Sequence, residues 1–417
     1  ARLQDLSAFG LELWKDCRVT KGIGGSTVVA ELETLVPWSD VAPSIGALER
    51  EGRLEKARRL LGDNGADALL IGAGASLRYF AGVPWGASER LVAMLLPLVG
   101  DPIVICPRFE LGTLEADLTV DADIRLWEED ESPSALLADA LRERQVATLA
   151  VDPAMAFLFV DRLRKAAPSV ELVDGSSVID GCRMLKSPAE LGLMRQAKEM
   201  TLEVQRRAAR ILRDGISASE VRRFIDEAHR TLGASGSSFC IVQFGRSTAF
   251  PHGLPGESYL QEGDMVLIDT GCTVEGYNSD ITRSYVFGEA SDEQRSIWTL
   301  EQEAQQAAFD AARPGVACED VDAAARAVLE RAGLGPDYRL PGLPHRTGHG
   351  IGLSIHESAY LVRGDRTPLA PGMCFSNEPM IVMPDRFGVR LEDHFHVTEE
   401  GAAWFTRPSP SIDAPFG

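Results

Sequence analysis

The chain has 417 residues, of which 45% are hydrophobic and 25% are charged, and its formal net charge is -20. This acidic balance excludes nucleic acid as an expected partner, because a negative surface repels phosphate groups. Seven scattered cysteines without a CxxC pair argue against a disulfide framework. No apolar run reaches bilayer length and no signal-peptide core is found, which argues against a membrane partner. Together these features predict a cytoplasmic protein.

The length predicts two domains, which we place at residues 1–180 and 181–417, with residues 1–45 as an extension of uncertain role. The first domain alternates amphipathic helices with short apolar strands, a pattern typical of α/β domains. It shows neither a catalytic constellation nor a glycine-rich phosphate loop. Its predicted elements are helix Leu48–Leu61, strand Asp67–Ile71, a hairpin of Leu91–Val99 with Pro102–Cys106, strand Thr148–Asp152 and a helix ending near Ala166.

The second domain is predicted to begin with a helix that has a capping box. Ser187 is the capping residue, proline follows it, and Glu190 stands three positions after the cap. Ser217 and Glu220 repeat the signature at the next helix. Two more predicted helices cover Asp292–Ala312 and Glu319–Ala332, and strands fall between and after them. Helices beside a mostly antiparallel sheet predict an α+β fold class.

Acidic residues are embedded in the predicted strands of this domain. Strands Val266–Gly271 and Asn278–Val286 flank a turn predicted at Thr273–Gly276, and a loop of that length places Asp269 directly opposite Asp280. Like charges in such a pair destabilise a sheet. Further along, Glu378 and Glu392 bracket a turn at Met383–Gly388, so we expect them to meet across a second hairpin.

These four strand carboxylates, together with His349 in the glycine-flanked segment TGHGIG, indicate a metal site. Two divalent cations would cancel four negative charges, and a set rich in oxygen without thiolate suits Mn²⁺, Co²⁺, Zn²⁺ or Fe²⁺. A single acidic residue in a strand more often lies at an edge or faces solvent, and Glu357, Asp393 and Glu275 are assigned to that class.

The order of these residues resembles a known family. Asp269, Asp280, His349 within GHGIGLSIHE, Glu378 within NEPMI and Glu392 within GVRLED are similar to the pita-bread metallopeptidases, which include methionine aminopeptidase, aminopeptidase P, prolidase and creatinase. The resemblance covers residues 187–406 well and the N-terminal part loosely. It implies a C-terminal pita-bread domain preceded by a smaller α/β creatinase-like domain, and it is nearest to bacterial prolidases, the Xaa-Pro dipeptidases.

The resemblance also implies roles for single residues. The implied metal ligands are Asp269, Asp280, His349, Glu378 and Glu392. Glu378 is also the implied general base, His356 would stabilise the oxyanion, and His252, within PHGLP, would contact the scissile region. Arg390 is an implied orienting or substrate-side residue. The predicted substrate-binding set is His252, His356 and Arg390, which the resemblance implies, together with Tyr360 and Arg363.

One position departs from the family pattern. Tyr360 stands where a prolidase is expected to carry an arginine that meets the C-terminal carboxylate of the substrate. A phenol supplies one hydrogen bond but no charge and no bidentate fork. Either Arg363 or Arg366 meets the carboxylate instead, or the pocket is altered, and the choice between dipeptides and longer substrates stays open.

The resulting expectation is a dinuclear metal-dependent dipeptidase that hydrolyses Xaa-Pro bonds, with manganese as the expected metal and cobalt or zinc as alternatives. Its expected partners are short Xaa-Pro peptides and a second copy in a homodimer. The alternatives on the same scaffold are aminopeptidase P, ectoine hydrolysis and dimethylsulfoniopropionate cleavage. An alternative of another class is a non-catalytic binding module.

Overall fold

The computed structural model describes residues 22–417. Residues 1–21, which include Cys17 and part of the extension predicted at residues 1–45, lie outside the described range. Within residues 22–417, no helix is both long enough and apolar enough to span a bilayer.

The helices begin where the sequence provides caps. The Ser187 side chain accepts a hydrogen bond from the Glu190 backbone N–H, and the Glu190 carboxylate accepts one from the Ser187 N–H, so the predicted capping box is confirmed. Ser217 accepts from the Glu220 N–H at the next helix. In residues 22–417 the α-helices are α1 (Val28–Glu33), α2 (Ala47–Asp63), α3 (Ala75–Ala81), α4 (Leu111–Asp117), α5 (Pro133–Glu143), α6 (Phe157–Ala166), α7 (Ser176–Arg183), α8 (Pro188–Arg210), α9 (Ala218–Leu232), α10 (Asp292–Ala311) and α11 (Cys318–Arg331).

Six strands form the sheet of the first half of the chain: β1 (Ala68–Gly72), β2 (Ala93–Pro97), β3 (Ile103–Pro107), β4 (Asp123–Trp127), β5 (Thr148–Val151) and β6 (Glu171–Asp174). Their order is β4-β3-β2-β1-β5-β6. β2 and β3 pair antiparallel, which confirms the predicted hairpin, and the outer pairs β3–β4 and β5–β6 are parallel. β1 is buried on both faces, with Leu69 in one core and Leu70 in the other, because helices cover both sides of this sheet. The boundary predicted between residues 180 and 181 falls inside α7 and stays a prediction.

The second half of the chain is built from antiparallel ladders: β7 (Phe239–Phe244), β8 (Met265–Gly271), β9 (Thr273–Val274), β10 (Tyr277–Asn278), β11 (Ile281–Val286), β12 (Gly348–Gly350), β13 (Glu357–Leu361), β14 (Cys374–Asn377), β15 (Met380–Met383), β16 (Phe387–Arg390), β17 (Asp393–Val397) and β18 (Ala402–Trp404). One sheet has the order β11-β8-β7 and another the order β13-β12-β14-β17-β18. α8 and α9 contact the first of these sheets, and α10 and α11 contact strands between β13 and β16. This is the predicted α+β arrangement.

The first carboxylate hairpin, β8 to β11, has a shorter turn than predicted. Val274 pairs with Tyr277, and the two residues between them have positive φ angles, 46° at Glu275 and 82° at Gly276. Two left-handed residues make the tight hairpin turn whose twist matches that of the strands. The register therefore moves, Asp269 faces Thr282, and the predicted direct pairing of Asp269 with Asp280 is wrong.

The consequence of this register is a smaller repulsion between the two aspartates. Ser279 N–H donates to the Cys272 carbonyl at 2.9 Å, so the same register continues through the gap between β10 and β11. Asp280 then lies diagonally across from Asp269 on the same face of the hairpin. Diagonal neighbours are about 7–8 Å apart, against about 5 Å for directly opposed residues.

The second carboxylate hairpin consists of β14–β15 paired with β16–β17. Met380 pairs with Arg390, and Asn377 pairs with Asp393. Both pairs belong to one register, and it places Glu378 opposite Glu392 in the gap between the two ladders. The expected meeting of these two carboxylates across a hairpin is confirmed.

Candidate metal centre

The five predicted ligands come from both hairpins and from β12, and the structure brings them together. Asp280, His349 and Glu392 each offer a ligand atom, and these atoms lie within 4.8 Å of one another. His349 Nε2 is 3.3 Å from Glu378 Oε1 and 3.7 Å from Asp280 Oδ2. Asp269 completes the cluster, and its charge contributes to the raised pKa of Asp280 and of both glutamates.

The state of His349 indicates what the cluster can hold. Nδ1 lies 2.9 Å from the Gly350 carbonyl oxygen, and because that oxygen can only accept, Nδ1 is the protonated nitrogen. Burial first, and His356 second, lower the pKa of His349 to about 3, so the ring is neutral. Its Nε2 lone pair therefore faces two carboxylate oxygens, an arrangement that is repulsive unless a cation lies between them.

Two more atoms support the same conclusion. Asp269 Oδ1 and Glu392 Oε1 are buried and have no hydrogen-bond partner among the described residues. Buried carboxylate oxygens without a partner are costly, and binding a metal ion removes that cost. The side chains present therefore fit divalent cations.

The carboxylates resist ionisation in the absence of cations. Burial, followed by the charge of Glu392, raises the pKa of Asp280 well above its ordinary value. Burial and then Glu378 do the same for Glu392. Burial raises the pKa of Glu378 to about 7, although the positive charge of Arg390 opposes the rise. A cation reverses this tendency, because it favours the ionised form of every carboxylate around it.

Two buried glutamines hold the strands that carry the ligands. Gln205 of α8 donates from Nε2 to the carbonyl oxygens of Ile268, at 3.0 Å, and Ile281, at 2.8 Å. Gln305 of α10 donates from Nε2 to the Leu391 carbonyl oxygen at 3.1 Å. Each contacted carbonyl belongs to a residue next to a predicted ligand. The helices behind the hairpins thus fix the backbone at the points where the carboxylates project.

Two arginine–aspartate pairs connect the hairpins. Arg390 of β16 donates from Nη2 to Asp269 Oδ2 and from Nε to Thr282 Oγ1, so this implied substrate-binding arginine is buried behind a predicted ligand. Arg283 of β11 donates from Nη2 to Asp393 Oδ1 at 2.8 Å, and both side chains are fully buried. The expectation that Asp393 lies at an edge or faces solvent is wrong, because its partner is supplied by the other hairpin.

The predicted catalytic histidines lie at the open side of the cluster. The His356 ring is 4.2 Å from the His349 ring, centroid to centroid, in an edge-on arrangement. Both His356 and His252 are exposed. Burial lowers the pKa of His356, and the positive charge of Arg346 adds to that effect. The side of the cluster at which the exposed His356 and His252 lie is called the cleft.

Glu357 fixes the loop that carries His356. Its carboxylate accepts hydrogen bonds from Arg183 Nη2 at 2.5 Å and from Lys186 Nζ at 2.9 Å. Burial acts to raise the pKa of Glu357, but Lys186 and Arg183 outweigh it and hold that pKa at about 2. The expectation of an edge or solvent-facing residue is therefore wrong, since the two cations come from a distant segment, at the end of α7 and just beyond it.

The three side chains considered for the substrate carboxylate lie in different places. Tyr360 of β13 pairs with His349 of β12 in the antiparallel ladder. Arg363 is exposed and its Nη2 is 2.5 Å from Asp337. Arg366 is 85% exposed and its Nε is 3.3 Å from a carboxylate oxygen of Glu319. Tyr360 therefore lies beside a predicted ligand, whereas the two arginines are paired at the surface.

Sequence reasoning missed Arg346. The guanidinium carbon lies 4.5 Å from the centroid of the Tyr360 ring, which is a cation–π contact. The charge of Arg346 also acts on the pKa of Glu378, opposing the larger effect of burial. The available signal was its position, directly before the TGHGIG segment that was singled out for His349.

The chain is similar to known proteins over most of its length. The pattern of metallopeptidase family M24 matches residues 192–399, and the creatinase/prolidase N-terminal domain matches residues 53–185. A probable dipeptidase, PepE, from Mycobacterium bovis is 39% identical over 353 residues, covering 84% of this chain and 92% of its own. An Xaa-Pro dipeptidase from Lactobacillus helveticus is 33% identical, covering 86% of this chain and 98% of its own. The crystal structure of dipeptidase PepE from Mycobacterium ulcerans is 38% identical, covers 88% of this chain and 97% of its own, and superposes with a TM-score of 0.80.

Proposed function

The chain belongs to metallopeptidase family M24 and has the pita-bread fold of that family, and from this premise we propose that it is a dinuclear metal-dependent dipeptidase that hydrolyses Xaa-Pro bonds. The observation that carries the proposal is the neutral His349, whose Nε2 lone pair faces the oxygens of Asp280 and Glu378. Two divalent cations bound there would polarise the scissile carbonyl and lower the pKa of a water molecule.

In this proposal the two cations would be held by the protein's own side chains, those of Asp269, Asp280, His349, Glu378 and Glu392. Arg390 orients Asp269 from behind by its hydrogen bond, which leaves Oδ1 of Asp269 free to bind a cation.

Proton transfer is assigned to Glu378. In the ionised state that the cations favour, this carboxylate takes a proton from the attacking water and delivers it to the departing amine nitrogen. Its backbone is fixed by the N–H donated to the Thr347 carbonyl at 2.8 Å. The Ser376 hydroxyl donates to Glu378 Oε1 at 3.3 Å and orients the carboxylate.

The histidines of the cleft are assigned to the substrate. A ring N–H of His356 would donate to the carbonyl oxygen as negative charge develops on it. His252 would contact the proline side of the scissile bond. The preference for proline is supported by the relative named an Xaa-Pro dipeptidase and by the similarity of the PHGLP segment to the prolidase pattern.

The test is a substrate profile of the purified protein loaded in parallel with Mn²⁺, Co²⁺ or Zn²⁺. We expect hydrolysis of Xaa-Pro dipeptides, weaker hydrolysis of Xaa-Pro-Xaa tripeptides, and a loss of about 1000-fold or more in kcat in Glu378→Ala. The proposal fails if Mn²⁺-loaded protein leaves Xaa-Pro dipeptides intact and Glu378→Ala behaves identically. A preference for tripeptides would instead favour aminopeptidase P.

Manganese as the physiological metal, a homodimer and a cytoplasmic location complete the proposal. The metal is tested by comparing kcat/KM among the three loaded forms. The dimer is tested by light scattering, where a mass near the 45.2 kDa of one chain would contradict it.

A further inference from the structure

Arg346 lies on the same face of the β12–β13 ladder as His349. Tyr360 and His349 are directly opposed in the β12–β13 ladder. Directly opposed residues of an antiparallel pair project their side chains to the same face. Because the guanidinium of Arg346 lies 4.5 Å from the Tyr360 ring, it lies on the face that also carries His349.

The second observation concerns the partners of this cation. Among residues 22–417, the Arg346 guanidinium has no carboxylate within ion-pair distance and donates no hydrogen bond, and it is only partly buried. Two other arginines of this domain form ion pairs, Arg390 with Asp269 and Arg363 with Asp337. Arg346 is thus a positive charge that is oriented by an aromatic face and left open to the cleft.

The chemistry of the guanidinium selects its ligand. A guanidinium that stacks its flat face on an aromatic ring keeps the N–H groups at its edge free to donate. The Arg346 guanidinium lies over the Tyr360 ring, and its N–H groups donate to no partner among residues 22–417. The fork of donors matches the two oxygens of a carboxylate, and such bidentate contacts are stronger than neutral hydrogen bonds. In a dipeptide, the free α-carboxylate is carried by the residue that follows the scissile bond, within one residue of the reacting carbonyl.

We propose that Arg346, held by Tyr360, binds the free α-carboxylate of the dipeptide substrate and thereby favours dipeptides over longer peptides. This inference rests on the proposed function and adds its carboxylate subsite. Arg346 takes the role for which Arg363 and Arg366 were considered from sequence. The Tyr360 hydroxyl can add one hydrogen bond to the same carboxylate.

The experiment compares Ala-Pro with its C-terminal amide, which lacks the carboxylate charge. We expect Arg346→Gln to reduce kcat/KM for Ala-Pro by about 10- to 100-fold, mainly through KM, and to reduce the value for the amide far less. Arg346→Lys should restore part of the loss, because lysine supplies the charge without the fork. The matched control is Arg386→Gln, an exposed arginine paired with Glu293, which should behave as the unaltered protein with both substrates.

The outcomes separate this inference from the proposed function. An equal loss for acid and amide in Arg346→Gln, no loss at all, or a selective loss in Arg363→Gln instead would overturn the inference. If the unaltered protein leaves Ala-Pro intact, the proposed function fails, and the same comparison is made with Ala-Ala and its amide. If no dipeptide is cleaved, calorimetric binding of Ala-Pro and its amide decides: an acid preference lost in Arg346→Gln upholds the subsite, and equal binding of acid and amide to the unaltered protein refutes it.

Discussion

The two hairpins that carry the carboxylates are connected to each other by two arginine–aspartate pairs with different surroundings. Arg283 and Asp393 are both fully buried. Arg390 and Asp269 lie at the cluster, and Asp269 keeps one oxygen without a partner among the described residues. An aspartate whose two oxygens are both bound by arginine therefore stabilises the fold, whereas an aspartate bound through one oxygen stays available as a ligand. Glu392 and Asp393 are adjacent in sequence, yet Glu392 keeps an oxygen available as a ligand and Asp393 is bound by Arg283 through both oxygens.

The sharpest test of the comparison is the fully buried pair. Arg283→Met removes the cation that neutralises Asp393, and breaking such a pair should lower the free energy of unfolding by about 3–5 kcal/mol. Urea denaturation followed by circular dichroism measures the change. The double variant Arg283→Met/Asp393→Leu should recover much of the loss, and an unchanged midpoint in the single variant would show that the pair does not stabilise the fold.

The other pair should act on metal binding rather than on folding. Arg390→Gln is expected to weaken Mn²⁺ binding by about 10- to 100-fold, because Asp269 loses the group that orients it. Titration calorimetry on metal-free protein gives the affinity. In the presence of Mn²⁺, Arg390→Gln should lower the free energy of unfolding by less than Arg283→Met does. An equal decrease in the two variants would remove the distinction between the two pairs.

The raised pKa of Glu378 predicts that the stability of the metal-free protein depends on pH. The pKa of Glu378 is raised from 4.5 to about 7 in the folded, metal-free protein, so the folded state binds a proton more tightly than the unfolded state. Metal-free protein should therefore lose stability as the pH rises from 4.5 to about 7, and protons should compete with Mn²⁺ in the same window. Thermal melts at about pH 5 and about pH 8 should show this loss reduced in Glu378→Gln. A loss of the same size in both proteins would assign it to other groups.

The smallest expected effect is at the tight turn of the first hairpin. Glu275 has a φ of 46°, a conformation that asparagine tolerates better than glutamate, so Glu275→Asn should raise the free energy of unfolding by about 0.5 kcal/mol. Gly276→Ala, at a φ of 82°, should lower it by about 1 kcal/mol. Urea denaturation measures both changes. The turn assignment is contradicted if the two variants change stability in the opposite directions.

Local signals predicted six of the eleven α-helices in residues 22–417, namely α2, α6 and α8 to α11, and the strands of the two carboxylate hairpins, whereas shorter helices such as α3 and α4 were not predicted. The capping box at Ser187 and Glu190 is written in consecutive residues, and so is the hairpin around Gly100. The five proposed ligands were found because acidic residues inside apolar strands are unusual and because their order resembles a family. The register of the first hairpin was not predicted, because it depends on Glu275 adopting a left-handed conformation that its residue type does not favour.

The partners of buried charges could not be read from the sequence. Glu357 is neutralised by Arg183 and Lys186, and Asp393 by Arg283, which are distant along the chain. No local pattern distinguishes such a residue from one that faces solvent. Arg346 was overlooked for the same reason, since its importance comes from the stack on Tyr360, which strand pairing creates.

The contact of Glu357 with Arg183 and Lys186 has a consequence for protein engineering. The loop bearing His356 is tethered to the segment that joins the two halves of the chain. A truncated version that starts after this segment would retain all five proposed metal ligands. It would lose Arg183 and Lys186, which hold Glu357 and with it the loop that carries His356. Chimaeras that exchange the first half between homologues therefore need Arg183, Lys186 and Glu357 to be transplanted as one unit.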